Sequence, residues 1–350
     1  MKRRNFLSSA AASALVASAV PLSPVQISAQ TSDLIFPERL RAGDMVGVIT
    51  PATAVADPDR LALIERTARH FGLRLKMGRS AGRRMNDYQA SVNERLDDLH
   101  AMFRDREVKA VFALRGGYGS GHLLDRIDYD LIRRNPKIFL GYSDITAMHM
   151  AIHRRSRLVT FHGPMMLARF TDYTQQNFRR ALFDPAPLGR LTNPPETNEL
   201  RPSYPLRAVV RGQARGRLTG GNLTLICQTL GTPYEIDTRG HILFLEDTGE
   251  EPYAIDRMLT QMRLAGKLSA AAGIIWGACQ DCAPRDYQPA NVIPYSLGEV
   301  VNNILGRLRV PVLAGLTVGH TSDQLTLPLG VEAVLDADAG TLEITQAGVR

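Results

Sequence analysis

The chain has 350 residues, a size that accommodates two domains, and its 44% hydrophobic and 22% charged residues are the balance of a globular protein. The formal net charge is +7, of which Lys2, Arg3 and Arg4 supply three, leaving +4 for the rest. That excess is small and scattered, which argues against a nucleic-acid partner; the densest basic run, Arg154-Arg155-Ser156-Arg157, has no interleaved aromatics and reads as a solvated helix end.

Residues 1–30, "MKRRNFLSSAAASALVASAVPLSPVQISAQ", have a basic start, an Ala/Ser-rich apolar middle and Ala-Ser-Ala or Ile-Ser-Ala before cleavage points. The middle is too short and too poor in large apolar residues for a comfortable membrane span. Arg3-Arg4 followed by Asn-Phe-Leu resembles the twin-arginine signal, which exports folded proteins. A signal peptide over 1–30 and a periplasmic mature protein are therefore expected.

Downstream, "LRAGDMVGVITPA" reads as a strand leaving a Gly-Asp turn, and "DPDRLALIERTARHFGL" as a helix with an Asp/Pro start. "RLKMG" is a short strand, "NERLDDLHAMFRD" an amphipathic helix, "VKAVFALRGG" a buried strand and "GHLLDRI" a helical piece. "KIFLGYS" is a strand followed by the helix "DITAMHMAIHRRS". This alternation predicts an α/β domain over 37–184 with a parallel sheet covered on both faces. Working residues then belong at the carboxyl ends of strands, where "RGGYGSG" and "GYSD" both lie. The Pro-rich, aperiodic stretch 185–206 reads as a linker, and a second domain over 207–346 runs through "HILFLEDTG", the helix "DRMLTQMRLAGKL", "AAGIIWGAC" and several short strands.

Of the three cysteines, Cys279 and Cys282 form "CQDC" in a loop after a strand; without a second ligand pair for zinc or a helix for a thioredoxin-like motif, they read as a local disulfide or two free thiols. Among the eight histidines only His149 and His153 have helical ligand spacing. "HMAIH" lacks the Glu beside the first His that a zinc hydrolase uses, so the pair reads as one partly buried and one surface histidine. "RGGYGSG" fits neither a P-loop nor a dinucleotide fingerprint. No metal and no cofactor are expected.

Ser143 in "GYSD" sits at a strand-to-helix turn, with Gly141 two residues before it but Ile145 where a hydrolase elbow has its second Gly. Ser, Asp and Thr are also natural helix N-terminal residues, so the local pattern leaves nucleophile and helix cap both open. Glu246 and Asp247 directly follow an apolar strand, and His320 follows Gly319 in a loop between strands; an acid and a base are what a nucleophilic serine requires.

Seven segments in order then resemble one family: "ERLDDLHAMFRD", "ALRGGYGSGHLLDRIDYDLI", "NPKIFLGYSDITAMH", "TFHGPM", "GRLTGGNLTLICQTLGTPYEID", "ILFLEDTGEEPYAIDRMLTQMRLAG" and "GLTVGHTSDQLTLPLG". From about Pro37 to Thr345 the chain resembles the LD-carboxypeptidases, or muramoyltetrapeptide carboxypeptidases, which are serine peptidases. The resemblance implies a flavodoxin-like N-terminal domain, a smaller swivelling β/β/α C-terminal domain, and a cleft between them. It implies Ser143 as nucleophile, His320 as general base and Glu246 as its orienting acid, with the Asp144 amide and Gly117 as oxyanion donors. The implied reaction is release of the terminal D-Ala from peptidoglycan tetrapeptides across an L,D-peptide bond, so a muropeptide is the expected partner. Arg115 is a candidate for the substrate carboxylate, its competing reading being an internal ion pair. A homodimer is expected only from the family. The alternative within the superfamily is a self-immunity peptidase acting on peptide or acyl-nucleotide antibiotics. Ala52 departs from the Ser that many relatives carry there.

Overall fold

The computed structural model describes residues 34–82, 90–196, 198, 200, 202–284 and 295–350; the signal-peptide reading of 1–30 lies outside them. Five strands pair in parallel: β1 (Met45–Ile49), the exposed edge strand β2 (Arg74–Met77), and the buried β3 (Val108–Ala113), β4 (Ile138–Gly141) and β5 (Thr160–His162). Their order across the sheet is β2-β1-β3-β4-β5, the flavodoxin order. Because side chains alternate faces along a strand, Ala110 and Phe112 of β3 pack into one core, while Val111 and Ala113 pack into a second. Helix α1 (Pro58–His70) covers the first face. The second face lies under α2 (Val92–Arg104), α3 (Tyr129–Arg134) and α4 (Thr146–Ser156).

Local chemistry sets the helix starts. The Asp57 carboxylate accepts the Asp59 N–H at the head of α1, and Pro58 occupies the first turn. Ser91 and Glu94 form a reciprocal capping box on α2. The piece "GHLLDRI" is a 3-10 turn, Ser120–Arg126, rather than an α-helix. A further helix, α5 (Asp172–Phe183), lies on the α1 face, where Phe178 meets Phe71, Phe112 and Phe170.

The second sheet uses β6 (Gly189–Leu191), β7 (Arg207–Val210), β8 (Gln213–Asn222), β9 (Ile242–Glu246), β10 (Gly273–Gly277) and β11 (Val312–Leu316). The next strand, β12 (Leu327–Leu329), returns to the first sheet and pairs antiparallel with β5. β13 (Glu332–Asp336) and β14 (Thr341–Ile344) complete the second sheet, in the order β6-β14-β13-β8-β9-β10-β11-β7. Its centre, β8 to β11, is parallel, with β9 and β10 buried at every position. Strand β6 falls inside the Pro-rich stretch 185–206, which therefore contributes an edge strand as it passes between the sheets. At the carboxyl end of β8, the Asn222 N–H donates to Thr146 Oγ1 at 3.1 Å, and a side chain on Gly221 would meet Thr146 at 2.6 Å. The second sheet thus abuts the first turn of α4.

Both histidines of "HMAIH" are drawn inward, His149 completely and His153 in part. His149 is fully buried, with Nε2 at 2.9 Å from the Gly141 carbonyl, and the His153 ring fills the space left by Gly330. His162 on β5 is also fully buried, with no protein partner among the described residues for either ring nitrogen. Burial pushes His149 and His153 down to about 4 and His162 well below the ordinary histidine range. Between about pH 6.5 and 4 the unfolded chain takes up protons that the native rings refuse, so stability is full above this window and is lost as pH falls through it. Urea titrations should give an unfolding free energy lower at pH 5 than at pH 7 by ~2 kcal/mol for each fully buried ring; equal values would mean that the rings protonate in place.

Candidate active site

Where β4 ends, Tyr142 is still extended (φ −151°, ψ −174°), and Ser143 then turns to φ +64°. Positive φ is uncommon for a residue with a side chain and points the serine out of the turn. A Cβ on Gly141 would lie 2.8 Å from Ile145 Cγ2. Gly before the serine and Ile after it therefore fit one another, and this turn needs one small residue where the hydrolase elbow has two. Residues 143–145 make a 3-10 turn that runs into α4, and neither element has a side-chain cap. The serine is not a helix cap.

Its hydroxyl instead meets His320, with Oγ to Nε2 at 3.0 Å, while Nδ1 of the same ring lies 2.8 Å from Glu246 Oε2. Glu246 is the last residue of β9 and is fully buried; His320 follows β11 and keeps 19% of its side chain exposed. Two small residues make room for the acid. A Cβ on Gly319, at φ +82°, would sit 2.0 Å from Glu246 Oε2, and one on Gly277 would lie 3.2 Å from Glu246 Cβ. The Tyr142 ring stands edge-on to His320, with centroids 5.0 Å apart, and limits its tilt. Asp247, the neighbouring acid, is occupied elsewhere: it accepts from Asn222 Nδ2, the Thr224 N–H and hydroxyl, and the Thr248 N–H.

The two loops expected to meet are tied together through Asp144. Its carboxylate accepts the Ser120 N–H at 2.8 Å, and its carbonyl accepts the Ser120 hydroxyl at 2.6 Å. Arg95, buried on α2, donates to the carbonyls of Pro51 and Gly119, joining the loop after β1 to "RGGYGSG". Sequence reasoning missed this residue, because an arginine on an amphipathic helix carries no sign that it points inward. Ala52 is buried, and beside it the Thr53 hydroxyl accepts the Tyr118 N–H at 3.1 Å, so polar contact from that loop comes one residue later than expected.

It is Gly116 that faces the serine: a Cβ there would lie 2.8 Å from Ser143 Cβ and 3.4 Å from the Asp144 nitrogen. Gly117, at φ +113°, has its open side against Thr53. Among the described residues the N–H groups of Asp144 and Gly117 have no hydrogen-bond acceptor. A cavity of about 400 Å³ opens here, lined by Ser143, His320, Gly116, Gly117, Arg115 and Thr248, with Arg60 of α1 on its wall. Arg115 forms no ion pair or hydrogen bond among the described residues, so the internal-pair reading finds no partner there. Cys279 and Cys282 are both free thiols. No group of three or more metal-ligating side chains occurs among the described residues.

A Ser–His–Glu line at the carboxyl end of a parallel sheet is the arrangement of serine hydrolases. The family models for the LD-carboxypeptidase N-terminal and C-terminal domains match residues 46–163 and 215–335. A probable murein peptide carboxypeptidase of Bacillus subtilis is 42% identical over 318 residues, covering 89% of this chain and 95% of the relative. Among solved structures, a muramoyltetrapeptide carboxypeptidase from Oxalobacter formigenes aligns at 29% identity and TM-score 0.72, covering 86% of this chain and 97% of that one. Microcin C7 self-immunity protein MccF in complex with aspartyl sulfamoyl adenosine aligns at 27% identity and TM-score 0.79, covering 90% and 100%. The chain belongs to the LD-carboxypeptidase family and is a serine-type carboxypeptidase.

Gly116→Ala should press on the serine from the cavity side while leaving both cores untouched. Labelling of Ser143 by a fluorophosphonate is expected to slow at least tenfold with little change in the denaturation midpoint; an unchanged rate would show that the close approach of Gly116 does not matter.

Proposed function

We propose that the protein hydrolyses the L,D-peptide bond that holds the terminal D-Ala of peptidoglycan tetrapeptides. The observation carrying this reading is the line Ser143–His320–Glu246, with 3.0 and 2.8 Å contacts, opening onto a cavity that holds an uncommitted arginine. His320 takes the Ser143 proton as the hydroxyl attacks the scissile carbonyl, and returns it to the leaving amine; water then releases the acyl group by the same route. Glu246 fixes the imidazole with Nδ1 as donor and stabilises its cation. The Asp144 and Gly117 N–H groups receive the oxyanion, each worth about 3 kcal/mol of transition-state stabilisation. Arg115 takes the free carboxylate of the leaving D-Ala, which a guanidinium can grip with two parallel hydrogen bonds. The names of the murein peptide and muramoyltetrapeptide relatives support the substrate class. The leader sequence supports a periplasmic site of action, where this substrate is met during wall turnover.

The MccF structures, at TM-score 0.79, support a second reading in which the same residues cleave acyl-nucleotide antibiotics. Incubating disaccharide tetrapeptide with the protein separates the two. Mass spectrometry should show loss of one D-Ala with the wild type and at least a thousandfold slower loss with Ser143→Ala. Equal rates in the two proteins would overturn the serine mechanism. An intact tetrapeptide beside rapid cleavage of an aminoacyl nucleotide would favour the second reading.

A further inference from the structure

The loop that carries the Gly117 N–H is poorly restrained by its own chain. Gly117 and Gly119 both stand at positive φ, +113° and +109°, and glycine loses more freedom than any other residue when it is fixed. An oxyanion donor works only if its direction is set before the reaction, so the restraint must come from outside the loop. Two contacts supply it. Thr53 accepts the Tyr118 N–H, and Arg95 of α2 donates from Nη1 to the Pro51 carbonyl at 2.7 Å and to the Gly119 carbonyl at 2.9 Å. The peptide unit joining Gly119 to Ser120 is thereby held at both ends, because its N–H donates to Asp144 Oδ2 at 2.8 Å. The Arg95 guanidinium and the Asp144 carboxylate thus stand on opposite sides of a single peptide group.

This arginine is costly to bury. Nε has no acceptor among the described residues, and burial holds its pKa below the ordinary arginine value, with the Asp144 charge acting the other way. A methionine of similar length would pack there without that cost. It would lack the grip on two carbonyls, and it would lack the charge. The charge matters because Asp144, which offers the second N–H to the oxyanion, also buries a carboxylate close by. Left alone, that carboxylate would oppose the negative charge developing on the substrate. We propose that Arg95 is a positioning residue for the reaction: it fixes the Gly117 N–H through the Gly119 carbonyl and offsets the Asp144 carboxylate beside the developing oxyanion. It acts through these groups and not on the reacting atoms. The inference rests on the two N–H groups assigned to the oxyanion in the carboxypeptidase reading.

Arg95→Met, Arg95→Lys and the double variant Arg95→Met/Asp144→Asn test this. The readouts are fluorophosphonate labelling of Ser143, kcat and KM for release of D-Ala from disaccharide tetrapeptide, and the denaturation midpoint. Arg95→Met should slow labelling and lower kcat by about tenfold or more with KM nearly unchanged, since an oxyanion site serves the transition state alone. Arg95→Lys keeps the charge without the planar fork and should recover part of both rates. The double variant removes the acid that Arg95 offsets, while the amide oxygen can still accept the Ser120 N–H. It should therefore label faster than Arg95→Met, a coupling that support of the fold alone would not produce. A wild-type rate in Arg95→Met, a loss confined to KM, or a labelling loss that Asp144→Asn does not relieve would overturn the assignment. If Arg95→Met does not fold, wild-type labelling rates in both Arg95→Lys and the double variant would overturn it. Should the wild type release no D-Ala, the substrate reading fails, and the labelling rates still decide the role of Arg95.

Discussion

A serine held at φ +64° is the constraint around which the site is arranged. Such a backbone costs on the order of 1–3 kcal/mol and persists only where its surroundings over-determine it. Here they do so from three directions. Gly141 yields to Ile145 on one side of the turn, Ser120 holds both the carboxylate and the carbonyl of Asp144 on another, and the end of β8 presses on Thr146 from the third. The missing elbow glycine is thereby explained: Ile145 is one of the residues that wedge the turn.

Two adjacent acids at the end of β9 show how environment divides labour. Asp247 accepts four hydrogen bonds and ties α6 (Leu223–Thr229) to the strand end. The Glu246 carboxylate has a single hydrogen-bond partner, His320, and its Oε1 has none among the described residues. A buried carboxylate so sparsely satisfied interacts chiefly with the imidazole, and more strongly with its cation than with the neutral ring. Low local polarity thus concentrates the acid's field on the one group that changes charge in the proposed reaction.

Much of this was legible in the sequence because the signals were local. Parallel strands announced themselves as apolar runs, and Ser143, Glu246 and His320 each follow such a run beside a glycine or a turn. Strands β5 and β6 went unread because three residues carry no periodicity, and the inward packing of the His153 ring because its neighbour, Gly330, is remote in sequence. Sequence reasoning named Gly117 for its amide; that Gly116 is the glycine packed against the serine was not legible, since φ and the direction of an absent side chain are not written in "RGGYG". Arg60 was missed for a related reason: a helix pattern gives its exposed face but not the cavity that the face borders.

The return of β12 to the first sheet has a temporal consequence. β5, which carries His162 and flanks β4, has an unpaired edge until residues 327–329 have been made, close to the end of the chain. His320, too, arrives late, whereas Ser143 is synthesised early. The nucleophile therefore emerges from the ribosome long before its base, and the first half of the molecule cannot close its sheet alone. The serine stays unactivated until residue 320 has been made and the end of the second sheet has come to rest against the turn that carries Ser143.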